Sequence, residues 1–368
     1  MRVKARPTRS RPAAGDRRRG VLLYGASGYT GGLVARAAAR SLPLVLAGRD
    51  AARVSALGAE LARPVRGASV ESPAALRDAL RGVSVVVNAA GPFSKTAKGM
   101  VEACIDAGVH YLDISGEVDS IEAVSGYDRA ARDAGIMLMP AVGFDVVPSD
   151  CLAARVHRRL PDARRLRIGL AGLDLASRGS ARTILEQVGR GVRVRHNGEL
   201  TTLPEGLLET RFDFGAGPRA ATCVSWGDVV TAHHTTGIPN VEVYFEATQA
   251  VRAFQLFGRS VGMFPPAAAL SELWMKPVAE RGPDGPTAQE RARRRAVIVA
   301  EAENVRGQRV ASRATTPEVY TFTSACASAV AERVLAGEVE AGFQTPGRLF
   351  GEAFLSSFEG VTVEDLRV

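Results

Sequence analysis

The chain is short of the residues that build ready-made reactive centres. It has four cysteines, five histidines and four lysines in 368 residues. Cys104, Cys151, Cys223 and Cys326 lie far apart, which excludes the paired spacings of a zinc ribbon or a dithiol redox site. No metal site is expected, and buried free thiols in a reducing cytoplasm are the simplest account. No segment approaches the roughly 20 consecutive apolar residues of a membrane helix. The N-terminus lacks the apolar core of a secretory signal. Acidic residues are nearly missing from residues 1–19, which hold eight Arg or Lys against Asp16 and so carry +7 of the chain's +8. This basic tail has too few apolar residues to fold and is expected to be disordered. The rest is close to neutral and shows no basic, aromatic-studded face, so a nucleic-acid partner is not expected.

Glycine, by contrast, is plentiful, and its placement is informative. Val21–Tyr24 reads as a buried strand that runs into Gly25-x-x-Gly28-x-x-Gly31, followed by an alanine-rich helix from Tyr29 to Arg40. A second apolar run, Leu44–Ala47, ends in Gly48-Arg49. Strand, glycine turn, helix, strand and basic residue are the parts of a dinucleotide site, in which glycines let backbone N–H groups approach a pyrophosphate at a helix N-terminus. Gly25, Ser27, Gly28, Tyr29, Thr30 and Gly31 form the expected phosphate turn. Gly48 and Arg49 fall beside the adenine-side ribose, where a guanidinium suits a 2′-phosphate, so the cofactor read from the residues is NADP(H). Asp50 could instead take a ribose hydroxyl, but an N-cap for a helix starting at Ala51 is the favoured role.

From Val21 to about Leu160 strands and helices alternate. Strands are predicted at 21–24, 44–47, 64–66, 84–89, 110–114 and 136–142, with helices at 29–40, 51–61, 74–81, 96–107 and 118–134. The β-branched run Val83–Val87 suits a central parallel strand. The predicted fold is α/β, a Rossmann-type doubly wound parallel sheet with a second α+β substrate or dimerisation domain. The domains expected are a tail (1–19), a dinucleotide domain (20–150) and a second domain (151–368), with a closing helix near 320–336 that can pack back on the first. Ligands bind at the carboxyl ends of such strands. There Asn88, Gly91, Pro92 and Phe93 are expected to admit the cofactor, with Pro92-Phe93 a wall beside the nicotinamide. Asp113, Glu117 and Asp145 are candidate proton donors or substrate ligands. Ser115 can cap the next helix, and Pro148 can open one.

These segments together resemble the saccharopine dehydrogenase-like NADP-binding proteins, a family that includes bacterial trans-acting enoyl reductases. GASGYTG at 25–31, AGR at 47–49, NAAGPF at 88–93, HYLDISGE at 110–117 and GFDVVPSD at 143–150 carry the resemblance. SRGSARTILE at 177–186, WGDVVTAHHTTGIPNVEVY at 226–244 and GFQTPGRLFG at 342–351 extend it into the second half. The resemblance implies an NADP-dependent oxidoreductase, whose relatives act on C–N bonds or reduce C=C bonds. The second half is shorter than in the enoyl-reductase branch that it resembles, and no lysine–histidine acid/base pair is found.

In the second half, Val241, Val243 and Phe245 alternate with Glu242, Tyr244 and Glu246, as in a half-exposed strand. Trp226, Asp228, His233 and Thr235 are expected to line the substrate side. His233-His234, read as strand neighbours on opposite faces, would chelate poorly, which leaves His233 as a candidate proton donor. The apolar stretch 251–275 suits core or a subunit interface, so a homodimer stays open, as does an acyl chain or bilayer surface. Residues 279–294 read as an exposed connection. The expectation is an NADPH-dependent reductase of an enoyl C=C or a C=N bond in a small or lipid-like metabolite. The alternative is an NADP(H) binder without turnover.

Overall fold

The computed structural model describes residues 20–173, 177–180, 188–262 and 284–367. The basic tail, most of the helix expected around Ile184 and the second half of the 251–275 stretch lie outside them.

β1 (Gly20–Tyr24) leads into α1 (Tyr29–Ala38), then β2 (Leu44–Gly48), α2 (Ala51–Leu61), β3 (Val65–Gly67), α3 (Pro73–Ala79), β4 (Val83–Asn88) and α4 (Phe93–Ala107). β5 (His110–Asp113), α5 (Val118–Ser125), α6 (Asp128–Ala134) and β6 (Met137–Met139) complete the alternation. These strands pair in parallel in the order β6-β5-β4-β1-β2-β3. The strand order reverses between β1 and β4, and ligands of doubly wound sheets bind at that crevice. β4 is paired on both edges, which is why its β-branched residues are buried.

Two of these elements are interrupted where the sequence reading runs on. The helix expected over 118–134 is two helices, broken at Gly126-Tyr127. The strand expected over 136–142 stops at Met139, because Pro140 has no N–H and Ala141 adopts a left-handed φ of 61°.

α7 (Val147–Arg159), with Pro148 in its first turn, carries the chain into a second sheet. Its elements are β7 (Ala163–Ala171), β8 (Val192–His196), β9 (Glu199–Leu203), β10 (Glu209–Asp213), β11 (Pro218–Val224), α8 (Asp228–Thr236) and β12 (Asn240–Glu246). There follow α9 (Gln249–Gly262), α10 (Ala288–Arg293), β13 (Arg295–Asn304), β14 (Arg309–Pro317) and α11 (Val319–Leu335). The order is β10-β11-β12-β7-β13-β14, closed by the last strand of the chain (Thr362–Leu366), with β8 paired to β12 and β9 to β8. The sheet is mixed: β7 and β12 are parallel, and the other pairs are antiparallel.

The chain then returns to the first sheet. α11 packs on α1 and β4, and β15 (Gly342–Phe343) adds a seventh parallel strand beside β6. α12 (Pro346–Phe350), α13 (Ala353–Ser356) and β16 (Thr362–Leu366) end the fold. A strand this short gives no periodic signal, so the sequence pattern does not place it in the first sheet.

One large core joins the parallel sheet, its helices and one face of the second sheet. A smaller cluster of Val192, Phe212, Tyr244 and Val299 fills the opposite face. β12 is therefore not half-exposed as expected. Val241 and Val243 face the large core and Tyr244 is buried in the small one. Glu242 accepts bonds from Arg165 and the Tyr244 hydroxyl. On α9, Val261 is buried while Leu256 and Phe257 are exposed.

Candidate dinucleotide site

The glycine turn is held by the backbone. The Gly25 and Ala26 N–H groups both donate to the Ala47 carbonyl of β2, and Gly28 N–H donates to Gly25 O at 3.0 Å. Gly25 has φ of 85°, and a Cβ there would lie 2.7 Å from the Ala90 nitrogen, so the turn is packed on the end of β4. A Cβ on Gly31 would collide with the Gly25 carbonyl oxygen. Gly28 differs from both. It is exposed, its φ is −78°, and its Cβ would meet only Gly25 O at 3.3 Å. Packing thus requires the outer two glycines. The middle one leaves open the space before α1.

The first-turn N–H groups of an α-helix have no acceptor within the helix, and Gly28 supplies no side-chain cap to α1. With no acidic side chain in that first turn, the helix end is suited to an anion. Ser27 is exposed and Thr30 half-buried at this opening. Gly48 ends β2 and Arg49 follows it, exposed. The Asp50 carboxylate accepts from Ala52 N at 2.9 Å and Arg53 N at 3.3 Å and so caps α2.

The ends of β4 and β5 are tied to each other. Asn88 is fully buried. Its amide donates to Thr96 Oγ1 and the Tyr111 hydroxyl, and its Oδ1 accepts from Ala90 N at 3.1 Å. Its side chain therefore shapes the strand end and is not free to meet a cofactor. Gly91 is exposed and joined by a cis peptide to half-buried Pro92, whereas Phe93 points into the core. Phe93 is therefore taken up by the core and does not form the wall expected from Pro92-Phe93.

Asp113 accepts from the Tyr111 hydroxyl, Ser115 N–H and hydroxyl, and Ala141 N–H, all within 2.9 Å. It is fully buried, and burial raises its pKa. Every bond points into the protein, so Asp113 locks the β5 and β6 ends together. Ser115 consequently does not cap α5. Glu117 is nearly buried, and its carboxylate accepts from Phe93 N at 2.9 Å and Ser94 N at 2.8 Å. It caps α4, 24 residues upstream, which explains why that helix starts at Phe93 and not at 96.

Asp145 is different. The loop carrying it is anchored by Phe144 N–H donating to Thr323 Oγ1 at 3.0 Å and by the Trp226 indole N–H donating to the Asp145 carbonyl at 2.6 Å. Its side chain lies over Gly116, where a Cβ would come 2.6 Å from Oδ2. The residue is half-buried and its carboxylate accepts no hydrogen bond among the described residues. Burial raises its pKa to about 7, with the Glu117 charge adding to the shift. Behind it, Asp150 accepts from the Thr235 hydroxyl at 2.7 Å and Gly347 N–H at 2.6 Å, and burial raises its pKa to about 6. Asp228 is fully buried and raised well above its usual range by burial.

His233 and His234 lie on α8, not on a strand, so they are helix neighbours and not residues on opposite faces. His233 Nδ1 faces the Ile238 carbonyl at 2.9 Å, a bond to the exit of its own helix. Burial, then the neighbouring His233, lowers His234 to about 4. Tyr320 also lies beside the start of α1, although no sequence motif marks it. Its ring meets Tyr29 edge-on at 5.2 Å, and its hydroxyl accepts from Ser177 N–H and pairs with Ser180 Oγ. Nothing local in the sequence signals a contact across 291 residues.

Residues 21–139 match the family model described as the saccharopine dehydrogenase NADP binding domain, and this segment is a nicotinamide-dinucleotide-binding domain of that kind. Over 148 residues the chain is 32% identical to a trans-acting enoyl reductase of Mycobacterium tuberculosis, covering 38% of this chain and 35% of that protein. It is also 32% identical over 148 residues to an Arabidopsis thaliana protein named as a mitochondrial saccharopine dehydrogenase-like oxidoreductase, covering 35% and 33%. The matches thus span about a third of those relatives' own length. Among solved structures, apo saccharopine dehydrogenase (L-Glu forming) of Saccharomyces cerevisiae aligns with a TM-score of 0.62 at 12% identity, over 95% of this chain and 100% of that one. The fold is therefore shared across both sheets. Among the described residues, no helix is long and apolar enough to cross a membrane, and no His, Cys, Asp and Glu group is arranged to hold a metal.

Proposed function

We propose that this chain, whose first domain is of the saccharopine dehydrogenase NADP-binding kind, is an NADP(H)-dependent reductase of a small-molecule substrate. The observation that carries the reading is the uncapped start of α1 behind an open Gly28, with exposed Arg49 at the end of the adjoining strand. The turn takes the pyrophosphate, and Arg49 takes the 2′-phosphate. A bound NADPH supplies a hydride. The protein's own part is to hold the substrate double bond and to deliver a proton to its other end.

Of the carboxyls at the strand ends, Asp145 is the donor this reading favours. Asp113 and Glu117 are committed to internal bonds, whereas Asp145 is half-exposed, unpartnered among the described residues and near neutral in pKa. Similarity to trans-acting enoyl reductases supports an activated C=C ahead of C=N. The test is NADPH consumption against a panel of enoyl thioesters and cyclic imines. Turnover of an enoyl thioester, lost in Asp145→Asn, is the expected result. Tight NADPH binding with no turnover of either class would favour the role of a binder or sensor.

A further inference from the structure

The phosphate turn carries a contact from the second half of the chain. The Tyr29 hydroxyl, on the first residue of α1, donates to the Pro286 carbonyl. Arg291, on α10, donates from Nη1 to the Tyr29 hydroxyl at 2.7 Å and to Pro286 O at 2.8 Å, and its guanidinium lies 5.8 Å from the Tyr29 ring centroid. The backbone at Gly285 is so close that a Cβ would lie 2.6 Å from the same ring. Asp284, at the start of this segment, is held by Arg178 through an ion pair of 3.0 Å. Residues 279–294, expected as an exposed connection, therefore dock at the mouth of the site from Asp284 onward.

Arg291 is half-buried, yet among the described residues it has no carboxylate partner, and its Nε and Nη2 meet no acceptor. The acid of its own helix, Glu290, is turned back onto Thr287 in a capping box. A partly buried guanidinium with no carboxylate bonded to it among the described residues is suited to an anion that completes its bonds. Here it is mounted on the first residue of a helix whose own N–H groups await an anion.

We propose that Arg291 is a cofactor-binding residue, supplying from the second half of the chain the cationic side of the pyrophosphate site. The inference rests on the dinucleotide reading of the glycine turn. It makes the site a joint product of both halves, so that cofactor binding ties residues 284–293 to α1.

The test is fluorescence titration of the full chain with NADPH and with NADH, which share the pyrophosphate but not the 2′-phosphate. Arg291→Ala is expected to raise both dissociation constants by the same factor, about tenfold or more for a lost charge-assisted bond. Arg49→Ala should weaken NADPH alone. Should Arg291→Ala fail to fold, Arg291→Gln should still show the loss and Arg291→Lys should recover part of it. Unchanged constants in a folded variant would overturn the proposal and leave Arg291 a packing strut. A loss confined to NADPH would also overturn it. If the wild-type chain binds neither dinucleotide, the reading of the turn falls first and this one with it.

Discussion

Gly28→Ala separates a phosphate cradle from an ordinary tight turn. The backbone at Gly28 is extended, with φ −78° and ψ 163°, and any residue can adopt it. The added methyl would meet only the Gly25 carbonyl oxygen, at 3.3 Å. Alanine is a poorer N-cap than glycine by roughly 0.5–1 kcal/mol, while the stiffer unfolded chain returns about 0.4–1 kcal/mol. Stability should therefore change by less than ~0.5 kcal/mol by this balance. The methyl projects into the open space before α1, and losing one charge-assisted bond costs ~1.5–3 kcal/mol, or at least tenfold in affinity. Gly31→Ala should behave otherwise. Its methyl collides with the Gly25 carbonyl and comes 3.1 Å from Ala26 Cα, both backbone, so ~1–3 kcal/mol of stability is lost along with cofactor binding. Chemical denaturation and NADPH titration on the two variants read both quantities. A Gly28→Ala protein that binds NADPH as the wild type does would refute the cradle.

Asp50→Ala should lower stability by about 1 kcal/mol through loss of the α2 cap, and leave the ratio of NADPH to NADH affinity unchanged; a shifted ratio would make Asp50 a ribose ligand. Glu117→Ala should destabilise by about 2 kcal/mol or more, measured by denaturant melting, because it strips two short bonds from the buried start of α4. If Asp145 delivers the proton, the reductase rate falls as pH rises through about 7, and Asp145→Asn abolishes that dependence along with most of the rate. The same raised pKa fixes the sign for stability. Folded Asp145 and Asp150 keep protons that the unfolded chain has lost, so their contribution is complete below about pH 4 and is lost as pH rises through about 6 and 7. Asp145→Asn should flatten the upper part of that decline in a series of melts.

What was legible in the sequence is what local constraint dictates. Gly25 is marked by the left-handed backbone its turn requires and Gly31 by contact with the Gly25 carbonyl inside the turn, Asp50 caps the helix it precedes, and the β-branched residues of β4 reflect burial on both faces. What was not legible depends on residues far apart in sequence. Glu117 has the look of an acid at the start of α5, yet it serves α4, because the ends of β4 and β5 are adjacent only in the folded sheet. Asp113 similarly reads as a candidate donor until the Ala141 N–H, freed by a left-handed turn, is seen to occupy it. The run around His233 and His234 has no clear apolar period, so the pattern does not separate the helix that forms there from the strand that was expected. Tyr320 and Arg291 reach Tyr29 through tertiary packing that no motif announces.

The central claim is that the turn and Arg49 together hold NADP(H), and paired titration of the wild type and Arg49→Ala with NADPH and NADH tests it most directly. The wild type should bind NADPH at least tenfold more tightly than NADH, the worth of a charge-assisted phosphate contact. In Arg49→Ala the two dissociation constants should converge, through loss of NADPH affinity with NADH unaffected. Equal affinities in the wild type, or a preference that survives the substitution, would contradict the account.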